Sequence, residues 1–356
     1  MRQEQPARAA DAWDREVDLL VAGAGAGGMT AGLVAALEGL DVLVCEKAEQ
    51  LGGTTATSAG TLWIPGNRQS RDVGFADTAA EARRYLDSLV GNSTTKDLRD
   101  AFLATGPDAI DYLTARSDVQ FAPCGRHPDY QSNRPGAAVA GRVIMAREFD
   151  GRLLGRDFAR LRPPIPEFLV LGGMMVGKSD IPPLVHRFAS LANFRHAAGL
   201  FWRYCRDRLR YPRGTRLVMG NALIARFYHS LRKAGVPVLF GAPIADLVME
   251  GGAVVGAVVT QDGKPVRIRA RSGVVLATGG YGHSAEFRYR FMPSPTPERS
   301  LAAEPNTGDG IAIAARYRAR IDSEAHGSGA FWTPVSVTHR KDGAKGLFPH
   351  LVYDRA

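Results

Sequence analysis

The stretch that most limits the fold runs from Val17 to Glu46, VDLLVAGAGAGGMTAGLVAALEGLDVLVCE. Val17 to Ala22 reads as a short apolar strand. Met29 to Glu38 reads as a helix rich in Ala and Leu, closed by Gly39, and Asp41 to Cys45 as a second strand. Between the first strand and the helix, Gly23, Gly25 and Gly28 form G-x-G-x-x-G, with Gly27 inside it. Each glycine has a physical task in such a turn. The first permits the tight bend, the second lets the backbone approach a pyrophosphate, and the third lets helix and strand pack closely. The helix N-terminus adds free N–H groups and partial positive charge. Glu46 ends the second strand, where a carboxylate accepts hydrogen bonds from a ribose hydroxyl pair. A lone G-x-G-x-x-G is a weak signal; this one follows a strand, opens a helix and has an acid at the right distance. A parallel α/β sheet that binds a dinucleotide is the expectation.

The residues after Glu46 narrow the ligand. Lys47 joins Glu46 as a candidate cofactor-binding residue, and from Gln50 the chain reads QLGGTTATSAGTLWIPGN, with Gly52, Gly53, Thr54 and Thr55 and then Ser58, Ala59 and Gly60. A nicotinamide dehydrogenase needs no glycines there, whereas a longer bound chain needs small residues and donors along its path. Later, Gly251-Gly252 and Asp262-Gly263 are hairpin signals that predict a β-meander. Val274 to Ala277 reads as a buried strand ending at Thr278, Gly279 and Gly280, and NTGDGIAIAARYRARID follows from Asn306.

Together these stretches resemble the FAD-dependent oxidoreductases of the fumarate reductase and succinate dehydrogenase flavoprotein type, most closely the 3-ketosteroid dehydrogenase branch. The resemblance implies an α/β fold: a Rossmann-like FAD-binding domain of parallel sheet plus β-meander, with a helical insertion and the start of an α+β substrate domain. By that likeness Gly52 to Thr55 follow the pyrophosphate and ribityl chain. Ser58, Ala59 and Gly60 lie near the isoalloxazine ring, the backbone of Ile244 and Ala245 meets the adenine, and Thr278 to Gly280 pass the dinucleotide. Thr307 to Gly310, with Asp309, start a helix beside the flavin. The succinate dehydrogenase branch bonds its flavin covalently through a His after the Gly-Gly pair. Residues 54–60 contain none, so the expected FAD is non-covalent.

The implied domains are a disordered tail over 1–16, an FAD-binding domain over 17–285 with a helical insertion at about 75–215, and an incomplete substrate domain over 286–356. In HPDYQSNRPGAAVAGRVI, Tyr130 matches a tyrosine that the family places in its substrate pocket. The alternative for Tyr130 is a surface loop. His127 and Arg126 precede it, but the dicarboxylate-binding motifs of fumarate reductases do not align, which favours an apolar ketone. The likeness also implies an external electron acceptor. It places the main catalytic tyrosines beyond the last residue, so that the sequence reads as a fragment; Tyr353 does not match them. An inactive FAD-binding remnant and another flavoprotein type such as a monooxygenase remain alternatives, although no second G-x-G-x-x-G serves NADPH.

Composition sets the outer limits. Of 356 residues, 45% are apolar and 23% charged, the balance of a soluble globular protein. The net charge of +9 comes without zinc-type Cys/His spacing or a nucleic-acid signature, which argues against metal and nucleic-acid partners. Cys45, Cys124 and Cys205 are too far apart in sequence for a disulfide framework, and no secretory signal opens the chain, so a cytoplasmic protein is expected. One stretch stands apart: LVHRFASLANFRHAAGLFWRYCRDRLRYPRGTR, from Leu184 to Arg216, mixes aromatics with arginines on a helical pattern. The expected arrangement is a surface helix with its apolar side on the core and its arginines in water. A membrane-surface helix is the alternative.

Overall fold

The computed structural model describes residues 12–90, 96–292, 294–296, 299–321, 335–340 and 343–349. Most of the expected tail, most of the closing residues of the 286–356 segment and Tyr353 fall outside them. In chain order the principal elements are β1 (Arg15–Ala22), α1 (Ala26–Leu37), β2 (Val42–Cys45), α2 (Gly53–Thr57) and β3 (Thr61–Trp63). Then come α3 (Ala79–Val90), α4 (Lys96–Arg116), β4 (Phe121–Pro123), β5 (Val143–Ala146), α5 (Ile181–Val185) and α6 (Leu191–Arg208). The chain continues through α7 (Met219–Lys233), β6 (Val238–Leu239), β7 (Ile244–Glu250), β8 (Ala253–Gln261), β9 (Lys264–Leu276) and α8 (Asp309–Arg316).

A six-stranded sheet in the order β6-β2-β1-β9-β8-β7 holds the nucleotide-binding half together. Neighbours from β6 to β9 run parallel, and β9, β8 and β7 form the antiparallel meander. Strands β1 and β2 are apolar on both sides because both faces are covered. Val21, Val42 and Val44 join a core shared with α1 and α7, while Leu20, Ala22, Leu43 and Cys45 join one shared with the meander and Ile313 of α8. Gly32 lets α1 sit close to β2, since a Cβ there would lie 3.2 Å from Val44 Cγ2. Both hairpins of the meander turn on two residues with positive φ, Gly251-Gly252 and Asp262-Gly263, the turn whose twist matches that of the strands.

Three expectations change. β1 starts at Arg15, inside the expected disordered tail over 1–16, because Arg15 and Glu16 pair with Ile268 and Arg269 of β9. The helix starts at Ala26 rather than Met29, because Gly25 is already its N-cap. The apolar run Val274–Ala277 is not a separate strand. Val274–Leu276 are the half-buried end of the 13-residue β9, with Ala277 just beyond it; β9 pairs with β8 antiparallel and with β1 parallel. Its register on β1 shifts between Val17 and Leu19, beside Gly273 with φ +136°.

The expected helical insertion at about 75–215 carries short strands as well as helices, and they begin just ahead of it at β3. β3, β5 and β4 form an antiparallel sheet, and Phe149–Asp150 pairs with Arg216–Leu217. Its anchor is Arg142, 1% exposed, which bonds Asp77 at 3.0 Å and Asp129 at 2.7 Å. Asp129 also accepts from Trp63 Nε1 at 2.7 Å and from Ala138 N at 2.9 Å. The loop that carries Tyr130 is tied to the sheet through this buried triad.

The Leu184–Arg216 stretch departs from its expected arrangement. Only a narrow face of α6 is buried, through Leu200, Tyr204 and Asp207. Its large apolar residues Leu191 and Trp202 are 71% and 70% exposed. Several of the arginines are the ones withdrawn from water. Arg213 is 8% exposed and donates to Asn221 Oδ1 at 2.9 Å. Arg216 bonds Asp180 at 2.8 Å and Glu148 at 2.6 Å.

Candidate FAD-binding site

A cleft of about 340 Å³ opens at the C-terminal ends of β1, β2 and β9, where open α/β sheets bind ligands. Its floor is fixed by backbone bonds: Gly23 N to Cys45 O at 2.7 Å, Ala277 N to Ala22 O at 2.8 Å and Gly52 N to Ala24 O at 2.8 Å. The cleft gathers Gly23, Gly25, Gly27, Glu46, Lys47, Gly53, Thr54, Thr55, Ile244, Thr278, Gly279 and Asp309 from the sequence-derived set.

The glycines of the first turn divide into two kinds. A Cβ on Gly23 would stand 2.2 Å from Ala277 O, and one on Gly28 would stand 1.9 Å from Gly23 O. Those two are glycine because the fold leaves no room. Gly25 and Gly27 are different: a Cβ on either would meet nothing within 4 Å. Gly25 has an ordinary φ of −83°, and Gly27 is not among the residues with positive φ. Neither sterics within the chain nor backbone conformation calls for glycine there. Close approach of a ligand does. Helix α1 starts at this point with no side-chain cap and no acid in its first turn. Its free N–H groups therefore face the cleft as donors for an anion.

Glu46, 9% exposed, sits across the turn. Its Oε2 accepts from Ala24 N at 2.7 Å and its Oε1 from Ala48 N at 2.9 Å. A carboxylate has about four acceptor sites, so each oxygen keeps capacity for a ribose hydroxyl. Beside it the Cys45 thiol is pushed up to about 12 by burial, with Arg15 opposing. It stays a neutral lining group.

Lys47 and Asp309 line the cleft, and they also pair with each other. Lys47 Nζ lies 2.8 Å from Asp309 Oδ2 and 2.7 Å from Thr307 Oγ1. Burial acts to raise the Asp309 carboxyl, but Lys47 and Thr307 outweigh it and hold its pKa below the ordinary value. Thr54 Oγ1 accepts from Ala303 N and Asn306 Nδ2, both at 2.9 Å. These bonds clasp residues 303–309 over the cleft. The polar atoms of Lys47, Thr54 and Asp309, which the resemblance assigns to the cofactor, hold the wall of its site.

Other members of that set stand elsewhere. Gly28 and Gly52 serve packing below the cleft; a Cβ on Gly52 would meet Ala56 at 2.7 Å. Ser58, Ala59 and Gly60 are not among the lining residues. Ser58 Oγ donates to Thr55 O, and a Cβ on Gly60 would lie 2.3 Å from Gly220 N at the start of α7. The Ala245 carbonyl is taken by Arg316 Nη2 at 2.9 Å, and the Gly280 carbonyl accepts from Gly308 N. Tyr130 is 40% exposed and does not line the cleft.

The cleft also contains Ala242, Ala303, Pro305 and Arg162, which no motif announces, and Asn306, which opens the NTGDG stretch. Arg162 is held by its main chain, with N to Leu51 O at 3.2 Å and Asn221 Nδ2 to its carbonyl at 2.9 Å. Its Nε is buried with no hydrogen-bond partner among the described residues. Arg162 and Ala303 also line a second cavity, of about 780 Å³, beside the cleft, with His283, Arg288, Arg299, Arg340 and Lys345.

The glycine cradle, the acid and the clasp fit a dinucleotide with a long distal arm, and the relatives of this chain agree. The FAD binding domain family matches residues 18–353. The 4-oxocyclohex-2-ene-1-carboxylate 5-dehydrogenase of Sinomonas cyclohexanicum is 36% identical over 337 residues, covering 94% of this chain and 56% of that enzyme. The 3-oxosteroid 1-dehydrogenase of Mycolicibacterium smegmatis is 36% identical over 332 residues, covering 90% and 56%. Among solved structures, the 3-ketosteroid delta1-dehydrogenase from Sterolibacterium denitrificans in complex with 1,4-androstadiene-3,17-dione superimposes with a TM-score of 0.83. It is 32% identical, with 93% of this chain and 59% of that one covered. The chain thus spans about 56% of the length of the curated relatives it matches. By its sequence, its fold and the cleft they build, this chain is a member of the FAD binding domain family.

Proposed function

We propose that the chain binds FAD without a covalent bond and belongs to a dehydrogenase that removes hydrogen from a CH–CH bond next to a carbonyl. The observation that carries the FAD reading is the pair Gly25 and Gly27, which have open space where a side chain would stand. FAD, when bound, supplies the hydride acceptor. The chain's own residues bind and orient it. Glu46 accepts from the ribose hydroxyls, and the first N–H groups of α1 donate to the pyrophosphate. The Lys47–Asp309 clasp closes residues 303–309 over the ligand and excludes water. Arg162, at the junction of the two cavities, supplies positive charge to the distal arm, which continues from the first cavity into the second.

The substrate class we infer is a cyclic ketone, either steroid-like and apolar or smaller and bearing a carboxylate. The reading rests on the relatives named for 3-oxosteroids and 4-oxocyclohexenecarboxylate. An external acceptor then reoxidises the cofactor. The free thiols of Cys45, Cys124 and Cys205 favour a reducing compartment, the cytoplasm. Among the described residues no helix is long and apolar enough to cross a membrane.

The test is direct. Purified protein titrated with FAD should quench flavin fluorescence with a one-to-one end point, and acid precipitation should release all flavin to the supernatant. Flavin that stays with the pellet defeats the non-covalent reading, and absence of binding defeats the whole. Bleaching of an acceptor dye by 4-androstene-3,17-dione, against a dicarboxylate control, tests the substrate class.

A further inference from the structure

Six large apolar side chains between residues 181 and 210 are more than half exposed: Ile181, Val185, Phe188, Leu191, Trp202 and Leu209. On α6 they extend a stripe at helical spacing, through Leu191, Phe194, Phe201, Trp202 and Leu209. The buried face of the helix, with Leu200, Tyr204 and Asp207, is the other one. The apolar stripe therefore points into solvent. Phe188 stacks on Phe194 with ring centroids 6.4 Å apart, which joins the turn after α5 to the first turn of α6 in one apolar surface.

The charge around this surface is one-sided. Arg187, Arg195, Arg206, Arg208 and Arg210 are all exposed. Asp207, the single acid in the stretch, is 3% exposed and engaged by Thr215 through its N and Oγ1. No carboxylate of 181–210 offsets the arginines on the outer face. Exposed aromatics and leucines among arginines match an interface between acyl chains and anionic headgroups. A second copy matches poorly, because it would bring the same arginines face to face. The chain's last described strands, Val335–His339 and Lys345–Pro349, lie elsewhere, with Arg340 on Glu167 at 2.9 Å and Phe348 against Phe168.

We propose that residues 181–210 form a membrane-docking surface that lays α6 flat on an anionic lipid bilayer. Phe188, Leu191, Trp202 and Leu209 enter below the headgroups, and the arginines sit among the phosphates. At 18 residues with six arginines between 181 and 210, the helix lies on the bilayer and does not span it. None of these residues lines the FAD cleft, so docking is separable from cofactor binding.

Flotation of the full chain with vesicles tests this and separates binding from aggregation, since aggregates stay at the bottom of the gradient. The protein should float with vesicles of equal parts phosphatidylcholine and phosphatidylglycerol at low salt. It should float poorly with phosphatidylcholine alone or in high salt. Phe188→Ser with Trp202→Ser should lower partitioning at least about tenfold. Arg206→Gln with Arg208→Gln should lower it roughly 30-fold, about fivefold for each cation. Far-ultraviolet circular dichroism and FAD titration should remain as in the wild type. No flotation with the anionic vesicles, or equal flotation of the variants, overturns the proposal. So does a dimer in light scattering that Phe188→Ser with Trp202→Ser dissolves while no form floats; that outcome assigns the face to a second copy.

Discussion

The nucleotide-binding half and the helical insertion at about 75–215 carry their information in different residue types. In the first, glycines mark where the backbone meets the open cleft or another part of the chain. The strand periodicity there places each apolar residue on the core it fills. In the second, arginine is the informative residue, and its role changes within a few positions. Arg142 and Arg213 are buried. Arg206 and Arg208 are exposed. Local pattern decides position when the chemistry is steric, as for glycine. It fails when a long side chain can either reach inward to a carboxylate or lie outward in water.

The largest test of this contrast is Arg142→Ala. It leaves Asp77 and Asp129 as uncompensated buried carboxylates, so the expected loss of stability is about 3–5 kcal/mol, read by urea unfolding. A loss below about 1 kcal/mol would mean that the triad is not the anchor of the segment.

Next come the glycines. Gly28→Ala places a Cβ against Gly23 O and should cost about 3 kcal/mol in stability. Gly27→Ala should instead stabilise the free chain by about 0.5–1 kcal/mol, because alanine is the better helix former. It should nevertheless weaken FAD about tenfold or more, equivalent to roughly 1.4 kcal/mol. Stability and affinity thus move in opposite directions. Equal FAD affinity in Gly27→Ala would remove the argument from open space.

A smaller effect is expected at Asp180. Burial works to raise its carboxyl, but Gly177 N–H, Arg216 and His196 outweigh burial and hold its pKa below the ordinary value. A folded-state pKa that is lowered contributes stability above the unfolded value of about 3.9. That contribution disappears as the pH falls through the lowered value. Asp180→Asn should flatten the acid limb of a stability–pH curve below about pH 4 and leave it unchanged at acid extremes, where the wild-type group is protonated too. The smallest change is Tyr130→Phe. Removing the hydroxyl of this 40% exposed residue should alter stability by no more than about 1 kcal/mol, the worth of a single hydrogen bond, and leave FAD affinity alone. Reduced turnover of a 3-keto substrate would place its phenol at the substrate; unchanged turnover would return it to the surface loop.

Much of the cofactor cleft is legible in sequence because its parts are local. Gly23, Gly25, Gly27 and Glu46 fall within one βαβ unit, and the strands fix their spacing. The two hairpins are equally local, each a pair of residues that tolerate positive φ. What the sequence missed is contributed from a distance. Arg162 reaches the cleft because its backbone pairs with Leu51, more than a hundred positions earlier. Asn306 and Ala303 arrive through their bonds to Thr54. Ser58 to Gly60, which the resemblance places near the flavin ring, do not line the cleft, and Gly60 has α7 passing against it.

The amino-acid sequence by itself determined the parallel α/β unit, its meander and the dinucleotide cradle, since those depend on periodicity and on contacts a few residues apart. Only the tertiary structure decided which glycines face open space and which serve packing. It alone paired Lys47 with Asp309 and turned the aromatic face of α6 outward. Each of these depends on what stands opposite a residue, and that neighbour comes from another part of the chain.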